Sequence, residues 1–168
     1  MRFNDYIGVN YIMIKVNILA VGKVKESYFA EGIREYSKRL SRFCEFNITE
    51  IKEENFDKVD DALIGIIKKR ESERILPLIK GHTVVMTIEG KKFNSVDFAK
   101  VIKRAGDTSG VITFIIGGSY GLDDSVKRKA NQEISFSDMT FPHTMFRLIL
   151  TEQIYRAFSI INGNGYHK

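Results

Sequence analysis

Runs of apolar, β-branched residues alternate along this chain with stretches whose apolar positions recur every three or four residues. The first run, Ile14 to Val21, reads as a buried strand leading into Gly22-Lys23, and Glu26 to Arg42 then sets Phe29, Ile33, Tyr36 and Leu40 at helical spacing. A second strand is expected at Glu45 to Ile51. The polar stretch EENFDKVDD turns the chain into a helix through Ile64, Ile67 and Glu71 to about Ile79, with Pro77 disturbing its last turn. His82 to Ile88 predicts a third strand, Glu89-Gly90-Lys91-Lys92 its loop, and Ser95 the N-cap of a helix through Phe98, Val101 and Ile102. Val111 to Ile116 is almost wholly apolar, the mark of a strand buried on both faces of a parallel sheet, and it runs straight into Gly117-Gly118-Ser119-Tyr120-Gly121-Leu122. Asp123 then caps a short helix carrying Lys127, Arg128 and Lys129, and Glu133 to Ser137 returns to the sheet. A final helix from about His143 to Ile161 lines up Phe146, Leu150, Ile154, Ala157 and Ile161. Repeated strand-helix alternation defines an α/β fold whose ligands belong outside the carboxyl ends of the strands.

Length and composition narrow the classes. At 168 residues, 43% hydrophobic and 28% charged, the chain has the size of one domain, with little material for a deep private cleft, so a second subunit is a natural source of the missing wall. A net charge of +5 favours an anionic partner without choosing among RNA, DNA, nucleotides and acidic lipid. Cys44 is the only cysteine, which rules out an internal disulfide and a cysteine-rich zinc site and fits a reducing, cytoplasmic setting. Residues 1–12 lack the apolar core of a signal peptide and read as an N-terminal extension ahead of a single domain over residues 13–168, with Met13 a second potential start.

Three segments carry candidate chemistry. GGSYGL is neither the GxGxxG fingerprint nor a P-loop; its glycines either make a tight strand-to-helix turn or open space for a flat or charged cofactor beside exposed amides. FSDMTFPHTMFR gathers Ser137, Thr140, His143 and Arg147 in one span, either as a structural connection set by Pro142 or as donors for a carboxylate or phosphate. In the last helix Glu152 and Arg156 have the spacing of an ordinary surface pair. The tail offers Tyr166 to stack a base, His167 to exchange a proton near neutral pH and Lys168 to attract phosphate, or it is a frayed cationic terminus. Cys44 reads as a small core residue.

At these segments the chain resembles the RlmH family, the YbeA-like branch of the SPOUT methyltransferases: ILAVGKVKESYF near the start, FIIGGSYGL in the middle and FSDMTFPHTMFRLILTEQIYRAFSIINGNGYHK at the end. The likeness spans Met13 to Lys168. It implies a SPOUT fold, with a parallel-sheet core and a C-terminal trefoil knot, in a homodimer that binds no membrane. It implies transfer of a methyl group from S-adenosyl-L-methionine, with no metal, to N3 of a pseudouridine in the 23S rRNA stem-loop facing the small subunit, on the assembled ribosome. The implied cofactor residues are Met86, Gly117, Phe136, Ser137, Asp138, Met139, Thr140 and Phe141, with Asp138 standing where the family commonly has Lys. His167, Tyr166 and Arg147 are the expected catalytic residues, and Lys23, His143, Arg156 and Lys168 the expected RNA contacts. Another SPOUT RNA methyltransferase, or a non-catalytic ribosome-binding protein, would keep much of this pattern; a nucleotide-dependent oxidoreductase lacks its glycine fingerprint here.

Overall fold

The structure is a computed structural model that describes residues 13–167, the side chain of His167 excepted. The extension expected over residues 1–12, and Lys168, lie outside the described residues. Five strands, β1 (Lys15–Val21), β2 (Glu45–Ile51), β3 (His82–Lys92), β4 (Val111–Ile116) and β5 (Gln132–Ser135), form one parallel sheet in the order β2-β1-β4-β3-β5. Among the described residues five helices connect and cover it: α1 (Ser27–Leu40), α2 (Asp61–Ile75), α3 (Ser95–Thr108), α4 (Asp124–Lys127) and α5 (His143–Ile161). Short 3₁₀ turns follow α2 at Leu76–Leu78 and α5 at Gly165–His167.

The period-two alternation of the strands decides which helix lies on which face. Val16, Ile18 and Ala20 of β1 join Phe114 of β4 and Val84 of β3 in a large cluster with Leu40 of α1, Phe98 and Ile102 of α3, and Leu150 and Ile154 of α5. The intervening Leu19, Val21, Val85 and Ile115 face Ile75 of α2 and Leu122 and Val126 beside α4. Each large side chain so enclosed contributes about 1.5–3 kcal/mol of burial, and β4, apolar on both faces, fastens the two layers together. Among the described residues no helix is long and apolar enough to cross a membrane.

Three local expectations are corrected. Glu89-Gly90-Lys91-Lys92 is not a loop: β3 continues to Lys92, slipping register between Met86 and Lys91 and pairing again with β5. Glycine permits this, since a Cβ on Gly90 would stand 2.7 Å from the Ile134 backbone. The N-cap of α3 is Asn94, whose side chain accepts from the Asp97 amide at 2.8 Å, while the Ser95 hydroxyl donates to Gln153 of α5. Pro77 ends α2 at Ile75 and sits in the 3₁₀ turn that follows. The cap at Asp123 and the span of α5 agree with the pattern.

Candidate active site

Because all five strands run the same way, their carboxyl ends and the loops after them gather on one edge. There a cavity of about 680 Å³ opens between the ends of β3, β4 and β5 and the start of α5, within the range that encloses a cofactor-sized molecule (about 300–1,000 Å³). Its lining includes Met86, Gly117, Phe136, Ser137, Met139, Thr140 and Phe141, seven of the eight residues expected to hold a cofactor. Asp138 is the exception. Its side chain is 76% exposed and pairs with Lys92, so it belongs to the outer surface of the loop.

Main chain builds much of this cavity. The turn after β4 closes on itself through Gly121 N–H donating to the Gly118 carbonyl at 3.0 Å, with Gly121 at φ +79°, a conformation that excludes most side chains. A Cβ on Gly117 would stand 3.0 Å from the Gly121 backbone and from Leu122, and one on Gly118 2.9 Å from Val21. The loop after β5 is pinned from within: Ser135 donates to the Ser137 carbonyl, and the Ser137 hydroxyl accepts from the Met139 amide at 2.9 Å. Aromatic contacts anchor it, with Phe136 edge-on to Phe98 at 5.2 Å and packed against Phe146 at 5.5 Å, and Phe141 stacked on Phe146 at 6.4 Å. His143, expected among the RNA contacts, also lines the cavity.

Arg147 occupies a different place from the one expected for a group touching substrate. It is 1% exposed, absent from the cavity wall, and donates to Glu50 at 2.8 Å and to the carbonyls of Val21 and Gly22 at 3.4 and 3.1 Å. Burial pulls its pKa down while the charge of Glu50 opposes that. Glu50 also accepts from the Val24 amide at 3.2 Å. Together Glu50 and Arg147 clamp the turn between β1 and α1, where exposed Lys23 sits, to the first turn of α5. Arg147 thus holds backbone in place and does not line the cavity of its own chain. The pairing with Glu50 was invisible to a reading of the last helix alone, because the partners lie 97 positions apart.

Of the expected tail residues, Tyr166 joins a second polar cluster at the opposite end of α5, while the side chain of His167 and all of Lys168 lie outside the described residues. The Tyr166 hydroxyl donates to Glu152 at 3.2 Å and lies 3.2 Å from the hydroxyl of Tyr36 on α1. Its ring stands edge-on to Tyr155 at 4.9 Å, beneath the guanidinium of Arg156 at 4.8 Å. Arg156 donates to Glu152 at 2.6 Å, the i,i+4 pair that the spacing indicated. The contact with Tyr36, then burial, then the charge of Glu152 push the Tyr166 phenol well above the usual tyrosine range, so it remains protonated. The backbone of His167 closes the 3₁₀ turn. From His143 to Tyr155, α5 spans about 18 Å at roughly 1.5 Å per residue, so cavity and tail stand well apart in one protomer. Sequence reasoning missed Lys68 of α2 and Lys127 of α4, which also line the cavity; only the packing of α2 on α4 brings them there.

A parallel α/β sheet with a glycine-walled cavity at its carboxyl edge defines a cofactor-binding protein of the doubly covered type. A family model described as "Predicted SPOUT methyltransferase" matches residues 14–167. Similarity also extends to two proteins named ribosomal RNA large subunit methyltransferase H. That of Latilactobacillus sakei is 47% identical over 160 residues, covering 92% of this chain and 100% of the relative, and that of Pediococcus pentosaceus is 46% identical over 159 residues with the same coverage. Among solved structures, a "probable methyltransferase" from Bordetella pertussis shares the fold with a TM-score of 0.57 at 10% identity, over 88% of this chain and 96% of that one. The chain belongs to the RlmH branch of the SPOUT methyltransferase family.

Proposed function

We propose that this protein transfers a methyl group from S-adenosylmethionine to N3 of a pseudouridine in the 23S rRNA stem-loop that faces the small subunit, acting as a homodimer on the assembled ribosome. The observation that carries the reading is the cavity, which collects seven residues expected to hold the cofactor in a chain whose relatives methylate the RNA of the large subunit. The domain is read as residues 13–168, and loss of solubility or activity on truncation to Met13 would argue against residues 1–12 being an extension. A trefoil knot is the topological part of the same reading. It is supported by α5 returning from the β5 edge to pack on both α3 and α1, although true knots are rare exceptions among folds.

The lining fits the cofactor. Met86, Ile116, Leu122 and Phe136 offer apolar walls to a flat ring, loop amides and carbonyls offer partners to its edges, and the bare Cα of Gly117 lets the Gly121 turn close tightly beside it. When bound, S-adenosylmethionine supplies an electrophilic methyl group on a sulfonium. The chain's own task is to hold the acceptor ring in line and to take the imide proton from N3 as the N–C bond forms. His167 is the proposed proton acceptor. Tyr166, kept neutral, orients by donating a hydrogen bond or by stacking rather than by acting as a base. Arg156 and Lys168 face the RNA, while Arg147 holds the frame.

Because cavity and tail stand at opposite ends of α5, a second copy is the proposed means of bringing one protomer's tail to the other's cavity. Labelled S-adenosylmethionine incubated with ribosomes lacking the modification, followed by nuclease mapping, tests the reaction. Label at N3 of that pseudouridine is expected, and transfer elsewhere or none would sink it. A His167→Ala protein with normal turnover and pH dependence would remove His167 from the mechanism, and full activity in a monomer would remove the shared site.

A further inference from the structure

The face of the sheet that carries α2 and α4 presents a ridge of positive charge, three of whose five cations lie outside the cavity wall and have no part in the chemistry so far assigned. Lys68 and Lys69 stand on α2, Lys127 ends α4, and Arg128 and Lys129 follow it. The smaller hydrophobic cluster joins these elements, with Ile75 contributed by α2 and Val126 by α4. Arg70 and Arg74 of the same helix are engaged by Glu54, whereas none of the five cations forms an ion pair among the described residues.

Position separates this ridge from a merely solvated charge run. Lys69, Arg128 and Lys129 are exposed, but Lys68 and Lys127 are half-buried because both turn inward to line the cavity. The ridge therefore begins at the cavity's lip and runs outward. Asp123 stands between the two helices, its carboxyl held below the usual carboxylate range first by hydrogen bonds from Ser125 and then by the charges of Lys68 and Arg128. Cations from both helices thus converge on one spot, with Asp123 and Asp124 offsetting only part of their charge. Unpaired cations held close together repel one another, and a polyanion relieves that repulsion while releasing its counterions.

We infer that the α2–α4 ridge grips the sugar-phosphate backbone of the RNA strand that delivers the target base to the cavity. The inference rests on the reading of the protein as an rRNA methyltransferase and adds a contact surface on the face of the sheet opposite α1, α3 and α5. Phosphate is the chemistry such a surface recognises. Flexible, exposed lysines without a planar, bidentate partner position a backbone rather than read a sequence.

The test is equilibrium binding of the full chain to unmodified large ribosomal subunits across about 50–200 mM salt, with cofactor affinity measured in parallel by calorimetry. The variant Lys69→Gln/Arg128→Gln/Lys129→Gln, all three exposed and outside the cavity wall, is compared with the charge-preserving Lys69→Arg/Lys129→Arg and with Lys103→Gln on α3, whose amine pairs with Asp107 on the other face. The triple variant is expected to lose about tenfold or more in subunit affinity, and its slope of log K against log salt to fall by about two to three, as three lost phosphate contacts require. Its cofactor affinity should move less than about twofold, and the other two variants should behave as the parent does. Unchanged subunit affinity and slope would overturn the proposal. Because the readout is binding, a parent protein that binds subunits without transferring methyl would defeat the proposed reaction while leaving the ridge to be judged on its own slope.

Discussion

The two ends of α5 are built on opposite plans. At its N-terminal end the cavity is walled by glycine backbone, loop amides and aromatic anchors. At its C-terminal end Tyr36, Glu152, Arg156 and Tyr166 form a cluster held almost wholly by side chains. A backbone-built site has little tolerance for an added Cβ but can absorb side-chain exchange at positions such as Met86. A side-chain-built site has the reverse sensitivities, since single atoms carry its geometry. On the proposed function, the contrast fits shape recognition of a bulky cofactor at one end and orientation of an acceptor at the other.

The sharpest way to break this contrast is Gly117→Val. Its Cβ would meet the Gly121 backbone and the Leu122 side chain at 3.0 Å, so the turn that helps wall the cavity would have to shift. Cofactor affinity should fall at least about 100-fold, about 2.7 kcal/mol, the scale of an overpacking cost. Calorimetry reads this directly, and near-parental affinity would mean that the turn after β4 does not wall the cofactor.

Arg147→Ala comes next, because it attacks the clamp rather than either end. It strips donors from the carbonyls of Val21 and Gly22 and leaves a void in the core. Unfolding free energy should drop by about 2–4 kcal/mol from the lost hydrogen bonds and the cavity. Glu50 adds little, since at 38% exposure its carboxylate finds water. Denaturant titration checks the loss. A stable variant with a specific loss of turnover would return Arg147 to the group of substrate contacts.

Tyr166→Phe is milder. It deletes the contacts with Tyr36 and Glu152 but keeps the ring against Tyr155 and beneath Arg156. Turnover should fall roughly tenfold or less, about 1 kcal/mol, with cofactor affinity unchanged. A fall in cofactor affinity instead would show that the two ends are not separable.

Much of this division was legible in the residues before the fold. Strand β4 and the glycine turn announced themselves, because burial on both faces leaves no polar position in the run Phe114 to Ile116. Helix α5 was bounded by Pro142 at one end, and the span from His143 matches the structure. The continuation of β3 through Lys92 was hidden, since Glu89-Gly90-Lys91-Lys92 has the composition of a turn and becomes strand only by pairing with β5 across a register shift. The family resemblance brought seven cavity residues together, yet it could not reveal that Asp138 turns outward to Lys92 or that Arg147 is enclosed by Glu50 and two carbonyls. Those facts depend on partners distant in the chain, which local pattern does not encode.

The smallest expected effect concerns Glu71, an ionisable group buried behind the backbone-built end. Glu71 of α2 is 2% exposed; one carboxylate oxygen accepts from the Glu54 amide at 3.0 Å, and the other would stand 3.1 Å from a Cβ on Gly118. Burial first, and the negative charges of Glu53 and Glu54 after it, raise its pKa above the ordinary value of 4.5, against the Glu54 amide and Arg74. A carboxyl whose folded pKa is raised favours the native state below its unfolded pKa and loses that contribution as pH rises through the folded one. At neutral pH Glu71 therefore favours folding less than it does in acid. Glu71→Gln keeps a carbonyl oxygen for the Glu54 amide and removes the buried charge, so it should be more stable than the parent at pH 7, with the gap narrowing as pH falls toward 4.5. Denaturant midpoints across that window decide the matter. A gap that ignores pH would dismiss desolvation as its source, and a variant less stable at pH 7 would mean that the negative charge itself holds the Gly118 turn, making even the backbone-built end dependent on one side chain.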